Sequence, residues 1–428
     1  MTVDRRGHRR LGGPVGFATV ILATAMLPVP TLMPAAMLHA QTASSPPVND
    51  GRTDDERGNM LLSSGQEMRL TLGGYLQVDG RWMSGTATRA PDGLLLRRAR
   101  LVFDAAGANG WHMRLQPDFG QGRVQVQDAF VGFQRRGLVA RAGRFRPAFG
   151  TERMQSSATL LAPERGLVNS LMPSRSFGAQ VLLQRSVWRV AAGGFRTPIG
   201  SDVTAVDTDG DVDAVAGVGH DLLLRVSKVR ERQGRYLEIQ SGLLVGSERG
   251  TVDAPALSRV LSVAQQPILG FADDGTSAGT ARAAGTRARY SAGGILGTPR
   301  TVMAIEGALL RQRMARGMQT ITPTIGATTV RLAHVWNGVR AHTQEITPRS
   351  ARGALDLGVR GGTLSAWGDG LDAMLSRRSS RRAHTAGVAV SWLPTRLTRL
   401  SVSYDHTSRS EAAMPREHAL TVRWQQGF

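Results

Sequence analysis

The chain has 428 residues, a net charge of +20 and no cysteine, which excludes disulfides and thiolate metal sites. Lys228 is the single lysine among 53 basic residues, so arginine carries the charge. An arginine surplus suits an anionic partner such as phosphate, nucleic acid or lipid headgroups, although a GC-rich genome would also replace lysine by arginine. The 51 glycines favour turns and curved strands over long helices.

Residues 1–40 have the plan of a secretory signal peptide. Four arginines between positions 5 and 10 precede an apolar run, which Pro28 and Pro30 interrupt too early for a spanning helix. Cleavage is expected after Ala40, which removes four arginines and one aspartate and leaves a mature charge of +17. Export argues against a nucleic-acid partner. The polar residues 41–60 are expected to form a flexible periplasmic leader.

From residue 61 to residue 428 the dominant pattern has a period of two. In the first such stretch, Leu76 and Val78 fall on one face, and Gln77 and Asp79 fall on the other. The alternation returns close to the C-terminus and in many segments between, which gives about 14 to 16 candidate strands. The part from 251 to 300 is too rich in glycine and alanine to be divided into strands.

Two architectures place many amphipathic strands in an exported protein. A soluble sandwich or propeller hides its apolar face in a core, whereas a transmembrane barrel turns that face to lipid and keeps a polar lumen. Charges deep within strands, such as Arg98 and Asp104, are tolerated better beside a wet lumen than in a solid core. Phe428 closes an alternating strand, as in outer-membrane barrels, although 4 Tyr and 7 Trp are few for two aromatic girdles. The sequence therefore predicts an all-β fold, a transmembrane antiparallel β-barrel.

The sequence carries no metalloprotease or nucleotide-binding signature. There is no HExxH or Walker motif, and the nine histidines show no metal-ligand spacing. DTDGDVDA at 207–214 resembles part of a calcium loop but lacks the closing glutamate, so it is interpreted as an acidic surface loop. We expect no catalytic residue, no metal and no cofactor. A barrel hydrolase is the least favoured alternative.

The strand LLLRRARLVFD carries arginines on one face. Arg98 and Arg100 stand roughly 7 Å apart on that face, opposite Leu101 and Phe103. Their forked N–H groups fit phosphate-type oxygens and offer a stepwise path to a small anion. A structural network that neutralises the arginines explains the same residues equally well. The aspartates that would take part in such a network are Asp79, Asp104 and Asp128.

Residues 147–176 follow a strand and do not continue its alternation. They contain Arg153 and Arg165 with two neighbouring hydroxyl donors, Ser156 and Ser157. Wide porins are narrowed by a loop that folds into the lumen, and this segment is the best candidate for that loop. Hydroxyl groups bind an oxyanion without holding it too long, and a conducting site must release what it binds.

Several stretches of this chain resemble the phosphate-selective porins of the O and P type. They include LTLGGYLQVD, LLLRRARL, VQDAFVGF, GRFRPAFGTERMQSS, APERG and REHALTVRWQQGF, and the resemblance is most specific from 94 to 184. It implies a trimer of 16-stranded outer-membrane barrels with one long loop folded into each lumen. It also implies a ladder of basic residues, on the wall and on the loop, that leads to a central anion site.

The resemblance assigns roles to particular residues. Arg97 and Arg98 correspond to paired arginines of the ladder, and Arg153 stands where the selective members have lysine. Tyr75 stands where those members carry a ladder arginine. The complete set of predicted anion-binding or pore-lining residues is Arg97, Arg98, Arg100, Asp128, Arg153, Ser156, Ser157 and Arg165.

We therefore predict an outer-membrane porin of a Gram-negative bacterium through which small anions diffuse passively. Phosphate and polyphosphate are the candidate solutes. A general diffusion porin, in which the arginines only build the lumen, is the alternative. The expected partners are phosphate-like anions, outer-membrane lipid and further copies of the chain in a homotrimer, with no nucleic acid.

Overall fold

The computed structural model describes residues 60–64, 68–85, 92–122, 124–196, 218–410 and 416–428. The predicted signal peptide and the predicted leader up to residue 59 lie outside the described residues, as does the acidic stretch 207–214. A short strand, Met60–Ser64, precedes the barrel and pairs antiparallel with the strand that begins at Met68.

Sixteen antiparallel strands form one closed barrel, which confirms the predicted fold class. They are β1 (Met68–Ser84), β2 (Gly93–Gly107), β3 (Trp111–Asp118), β4 (Gln125–Arg135), β5 (Leu138–Phe145), β6 (Ser176–Arg185), β7 (Trp188–Arg196), β8 (Val218–Arg232), β9 (Arg235–Arg249), β10 (Arg282–Gly297), β11 (Thr301–Arg316), β12 (Thr324–Trp336), β13 (Ala354–Trp367), β14 (Arg382–Leu393), β15 (Thr398–Arg409) and β16 (Glu417–Gly427). β1 pairs with β2 on one side and with β16 on the other, and the second pairing closes the sheet. Closure satisfies the edge hydrogen bonds that a bilayer cannot satisfy.

The two ends of the barrel differ in their connections. At the short-turn end, strands are joined by turns such as residues 136–137. At the long-loop end, the connections include residues 146–175, which we call the inward loop. The short-turn end has one longer connection, 337–353, which contains the antiparallel pair Gly338–Arg340 and Ile346–Pro348. We call this pair the short-end hairpin.

The two faces of the barrel have opposite chemistry, because successive side chains of a strand point to opposite sides. On β1, Trp82 is exposed on the outer face, whereas Asp79 and Arg81 are buried on the lumen side. All seven tryptophans are exposed, and five of them lie at the short-turn end. The small aromatic content noted in the sequence is therefore concentrated in one interfacial belt. The five are Trp111, Trp188, Trp336, Trp392 and Trp424.

The segment from 251 to 300, which the sequence pattern left unassigned, contains barrel strand β10. In this strand Arg287 and Arg289 are buried on the lumen side, while the alternate positions hold residues such as Ala288 and Ala292. Small residues on the outer face weaken the apolar signal of a period-two pattern. The same segment also contains a small antiparallel pair, Val260–Leu261 with Pro267–Leu269.

A β-bulge places two neighbouring arginines in the lumen. In the ladder between β1 and β2, Gln77 pairs with Arg98 and Val78 pairs with Leu96, so Arg97 is an extra residue. Arg97 and Arg98 are only 1% and 0% exposed. Strict alternation would have turned one of the two towards lipid.

The inward loop connects β5 to β6 and is folded into the lumen, as predicted for residues 147–176. Its residues Phe149, Leu167 and Leu171 are buried in a hydrophobic cluster with wall residues such as Leu244. Full burial of side chains of this size contributes about 1.5–3 kcal/mol each. The loop is therefore packed against the wall and does not hang freely in the lumen.

Helices are few and short in the described part of the chain. They comprise one α-helical turn, Leu371–Met374, and two 3₁₀ turns, Gly120–Gly122 and Leu167–Leu171. Among the described residues, no helix has the length and the apolar character that a membrane span requires.

Candidate functional site

The carboxylate of Glu164, in the inward loop, is surrounded by arginines of the wall. Its Oε1 accepts hydrogen bonds from Arg97 Nε at 2.8 Å and from Arg81 Nη2 at 2.9 Å. Arg423 Nη2 lies 3.1 Å from the same oxygen, and Arg98 Nη2 lies 4.0 Å from Oε2. Burial would raise the pKa of Glu164, but the four guanidiniums hold it well below the ordinary carboxyl value. An ionised carboxylate thus fixes the loop to β1, β2 and β16.

Tyr75, Ser157 and Arg100 form a second junction between the wall and the loop. Tyr75 Oη and Ser157 Oγ are 2.6 Å apart, and Arg100 Nη1 donates to both, at 2.9 and 3.2 Å. Arg100 Nε also donates to Asp118 Oδ2 at 2.6 Å. One guanidinium therefore pairs with a carboxylate while it presents a further N–H to two hydroxyl groups.

Arg98 is held by an amide relay that also reaches the loop. Its Nη1 donates to Gln77 Oε1 at 2.7 Å. Gln77 Nε2 in turn donates to the carbonyl of Ser157 at 3.2 Å and to Gln425 Oε1 at 2.6 Å. The buried arginine, the last barrel strand and the serine pair of the loop are thus one connected set of hydrogen bonds.

Two arginines of the inward loop, Arg153 and Arg165, donate to oxygens of the loop's own backbone. Arg153 Nε donates to the carbonyl of Pro173 at 3.1 Å. Arg165 Nη2 donates to the carbonyl of Gln155 at 2.7 Å, and its Nε donates to the carbonyl of Glu152 at 3.3 Å. A carbonyl oxygen orients a guanidinium without contributing a formal negative charge.

The far side of the loop is held by β11 and β12. Glu306 accepts the backbone N–H groups of Thr151 and Glu152, at 2.6 and 3.0 Å. Arg331 Nη1 donates to the Glu152 carboxylate at 3.2 Å. These contacts fix the loop to β11 and β12 in addition to β1, β2 and β16. The backbone N–H of Gly166 donates to Glu152 Oε2 at 3.0 Å and links this set of contacts to the Glu164 junction.

Two of the predicted residues serve local structure. Asp128 Oδ1 accepts from Arg175 Nε at 2.8 Å, which secures the point where the loop returns to β6. Ser156 Oγ accepts the backbone N–H of Ala158 at 3.1 Å, which stabilises a turn in the loop. These contacts account for an acid and a hydroxyl at these positions without a ligand.

The structure joins some members of the predicted set directly. Arg97 and Arg98 lie beside the same loop carboxylate, and Arg100 contacts Ser157. Arg153 and Arg165 each donate to a backbone carbonyl of the loop. That all of these residues line one anion site stays a prediction.

Several residues that build the site were not predicted to belong to it. Tyr75 was recognised only as a departure from a ladder arginine, although its position on the lumen face of β1 is readable from the alternation. No sequence signal could have found Glu306, Arg331 or Arg423 as partners of the loop. Alternation tells which face a residue occupies, and it leaves open which distant group that residue meets.

A family model supports the resemblance drawn from the motifs. The model described as phosphate-selective porin O and P matches residues 71–263, a range that contains the inward loop and β2 to β9. The predicted family resemblance is confirmed over this range. A comparison with curated proteins finds no match.

Solved outer-membrane proteins share the fold at low sequence identity. The outer membrane channel DcaP of Acinetobacter baumannii has a TM-score of 0.55 and 10% identity, over 86% of this chain and 99% of that chain. The anion-selective porin from Comamonas acidovorans has a TM-score of 0.53 and 10% identity, over 85% and 100%. A loop L8 deletion mutant of OmpT from Vibrio cholerae has a TM-score of 0.50 and 9% identity, over 84% and 99%. At such identities the likeness concerns the fold alone.

A closed barrel with an apolar outer face, a polar lumen and an inserted loop is the architecture of an outer-membrane porin. The family match agrees with that class. The chain is thus an outer-membrane β-barrel of the porin type, similar to the phosphate-selective porins O and P.

Proposed function

We propose that this porin lets small anions diffuse passively across the outer membrane. The observation that carries the proposal is the inward loop, which brings four arginines and only two glutamates into the lumen, all of them buried. A net positive segment in the path of an ion raises the local concentration of anions and lowers that of cations. The comparisons favour a channel over an enzyme.

The solute that we propose is phosphate or polyphosphate. Guanidinium groups donate forked N–H pairs to phosphate oxygens, and the hydroxyl groups of Ser156 and Ser157 add neutral donors. Arg98, Arg153 and Arg165 would supply the guanidiniums. The family resemblance supports this choice of solute.

A general diffusion porin is the second candidate, and a specific observation favours it. Two of the wall arginines predicted to line the pore are bound to carboxylates, Arg97 to Glu164 and Arg100 to Asp118. Paired in this way, they contribute structure and little net field. The selectivity of the pore would then rest on the loop.

Ion selectivity in a planar bilayer separates the two candidates. The purified protein is inserted between unequal KCl solutions, and the reversal potential is measured. An anion porin gives the sign that belongs to chloride permeation. A potential close to zero or of the opposite sign would leave the general porin and remove the anion proposal.

Export, location and assembly complete the proposal. We expect cleavage after Ala40, recovery of the mature protein with the outer membrane, and a homotrimer. Cell fractionation, N-terminal sequencing and crosslinking of the membrane-embedded protein measure the three separately. Recovery in the soluble periplasm would contradict the proposed location.

A further inference from the structure

A cavity of about 20 Å³ lies between the inward loop, the short-end hairpin and the barrel wall. The loop contributes Gln155 and Thr159, and the hairpin contributes Arg340. The wall contributes Arg331 and Ala304. The cavity is therefore at the junction of the two segments that enter the lumen from opposite ends. The remaining lining residues are Leu161, Val302 and Gln344.

Two guanidiniums line this cavity, and each keeps an unused donor. Arg331 donates through Nη1 to Glu152 and to Gln155 Oε1, at 3.2 and 3.0 Å. Arg340 donates through Nη2 to Asp356. Within the described part of the chain, Arg331 Nη2 and Arg340 Nε are buried and have no hydrogen-bond partner. The two residues are only 7% and 3% exposed, so their unused N–H groups are poorly placed to find bulk solvent.

The chemistry of the lining favours an anion over a cation. Among the described residues that form it, two are guanidiniums, two are amides and one is a hydroxyl, and none is a carboxylate. Burying an N–H donor without an acceptor is costly, so such donors in native proteins usually have a bound partner. An anion that accepts from both arginines would give each unused N–H group a hydrogen-bond acceptor.

The cavity has room for one small ion. Its volume of about 20 Å³ exceeds the roughly 10–15 Å³ that one water molecule needs. We propose that the cavity is a binding site for one halide anion such as chloride, held between Arg331 and Arg340.

The bound halide would tie the short-end hairpin to the inward loop. The hairpin is held to β9 by two further contacts, from Gln344 Nε2 to Tyr236 Oη at 2.5 Å and between His342 Nε2 and Glu238 Oε2 at 3.1 Å. No direct hydrogen bond between Arg340 and Arg331 is possible, because both are donors. One anion that accepts hydrogen bonds from both guanidiniums would link them and offset the repulsion between their charges.

Anomalous diffraction from bromide tests the proposal. Crystals of the mature protein are grown with bromide in place of chloride, and the cavity is examined for an anomalous peak. We expect a peak between Arg331 and Arg340 in the wild type and none in Arg340→Gln. A second variant, Ala304→Val, narrows the cavity without touching either guanidinium and should also lose the peak. Water without anomalous signal, or a peak that persists in both variants, overturns the assignment.

A thermal measurement provides the solution counterpart. A ligand that binds the folded state raises the unfolding temperature. At equal ionic strength, chloride and bromide should raise the Tm relative to gluconate. Arg340→Gln and Ala304→Val should lose this halide effect, while Arg396→Gln, on an exposed ion pair, should keep it. Equal Tm values in chloride and in gluconate would refute the site. Neither readout depends on ion permeation. Failure of the porin proposal would therefore not affect this result, and failure of the halide proposal would not affect the proposed porin function.

Discussion

Arginines of the barrel wall and arginines of the inward loop donate hydrogen bonds to different kinds of acceptor. On the wall, Arg97 and Arg100 donate to the carboxylates of Glu164 and Asp118. On the loop, Arg153 and Arg165 donate to backbone carbonyls. A carboxylate neutralises a guanidinium, whereas a carbonyl only orients it. The wall arginines therefore hold the loop in place, and we propose that Arg153 and Arg165 attract anions.

This difference assigns stability and selectivity to different residues. Removing one partner of a buried ion pair is strongly destabilising, because it leaves an uncompensated charge in a low-dielectric site. Changing an arginine that is oriented by carbonyls should instead act on ion binding. Substitutions on the wall and on the loop, and a change of pH, separate these two roles.

The largest effect is expected for Glu164→Gln. The substitution removes the charge that Arg97 meets, and breaking a buried pair costs about 3–5 kcal/mol. The barrel should unfold at a lower temperature, which the heat-dependent shift of its gel mobility measures. Glu345→Gln is the matched control, because its partner Arg396 is more than half exposed and such pairs contribute about 0–1 kcal/mol. Equal losses in the two variants would remove the special role of Glu164.

Arg153→Ala and Arg165→Ala should weaken phosphate binding more than they weaken the fold. A hydrogen bond to a charged group contributes about 1.5–3 kcal/mol, which corresponds to roughly a ten- to hundred-fold loss of affinity. The measurement is chloride conductance titrated with phosphate, with sulfate as the comparison anion and Arg396→Ala as the control. If phosphate blocks the wild type no better than sulfate, selectivity for phosphate is wrong. Variants that behave like the wild type would show that these arginines do not line the constriction.

Tyr75→Phe should have a small effect on stability and none on ion selectivity. It removes a hydroxyl that contacts Ser157 and Arg100, and a net hydrogen bond contributes about 0.5–1.5 kcal/mol. Chemical unfolding and the reversal potential are measured on the same preparation. A change in the sign of the reversal potential would place Tyr75 in the ion path. It would contradict the assignment of ion selectivity to the loop and not to the wall.

The smallest effect is expected from pH. Because the pKa of Glu164 is held well below 4.5, its ionic contribution is complete above about pH 4.5 and is lost only as the pH falls towards the lowered value. Heat resistance should therefore be constant from about pH 8 to pH 5 and should fall in stronger acid. Glu164→Gln should lack that part of the acid response. A steep loss between pH 7 and 5 in the wild type would require another titrating group.

Several elements could be predicted from local pattern because a barrel wall imposes it. Lipid on one side and a polar lumen on the other require alternation, and this is legible in β1 and in the last three strands. The inward loop was predicted from its length, its arginines and the family resemblance. β10 could not be read in the same way, because alanine and glycine occupy much of its outer face.

Residue type and spacing are enough to specify the class of fold, the two-sided chemistry of the wall and the excess of arginine. Which arginines are neutralised depends on tertiary contacts. Closing the barrel brings Gln77 to Gln425, 348 positions away, and inserting the loop brings Arg423 to Glu164, 259 positions away. Alternation specifies a face but neither a height along the barrel nor a partner across it. The bulge at Arg97 and the span of the loop set those, and with them the division between arginines that build the lumen and arginines that can meet an ion.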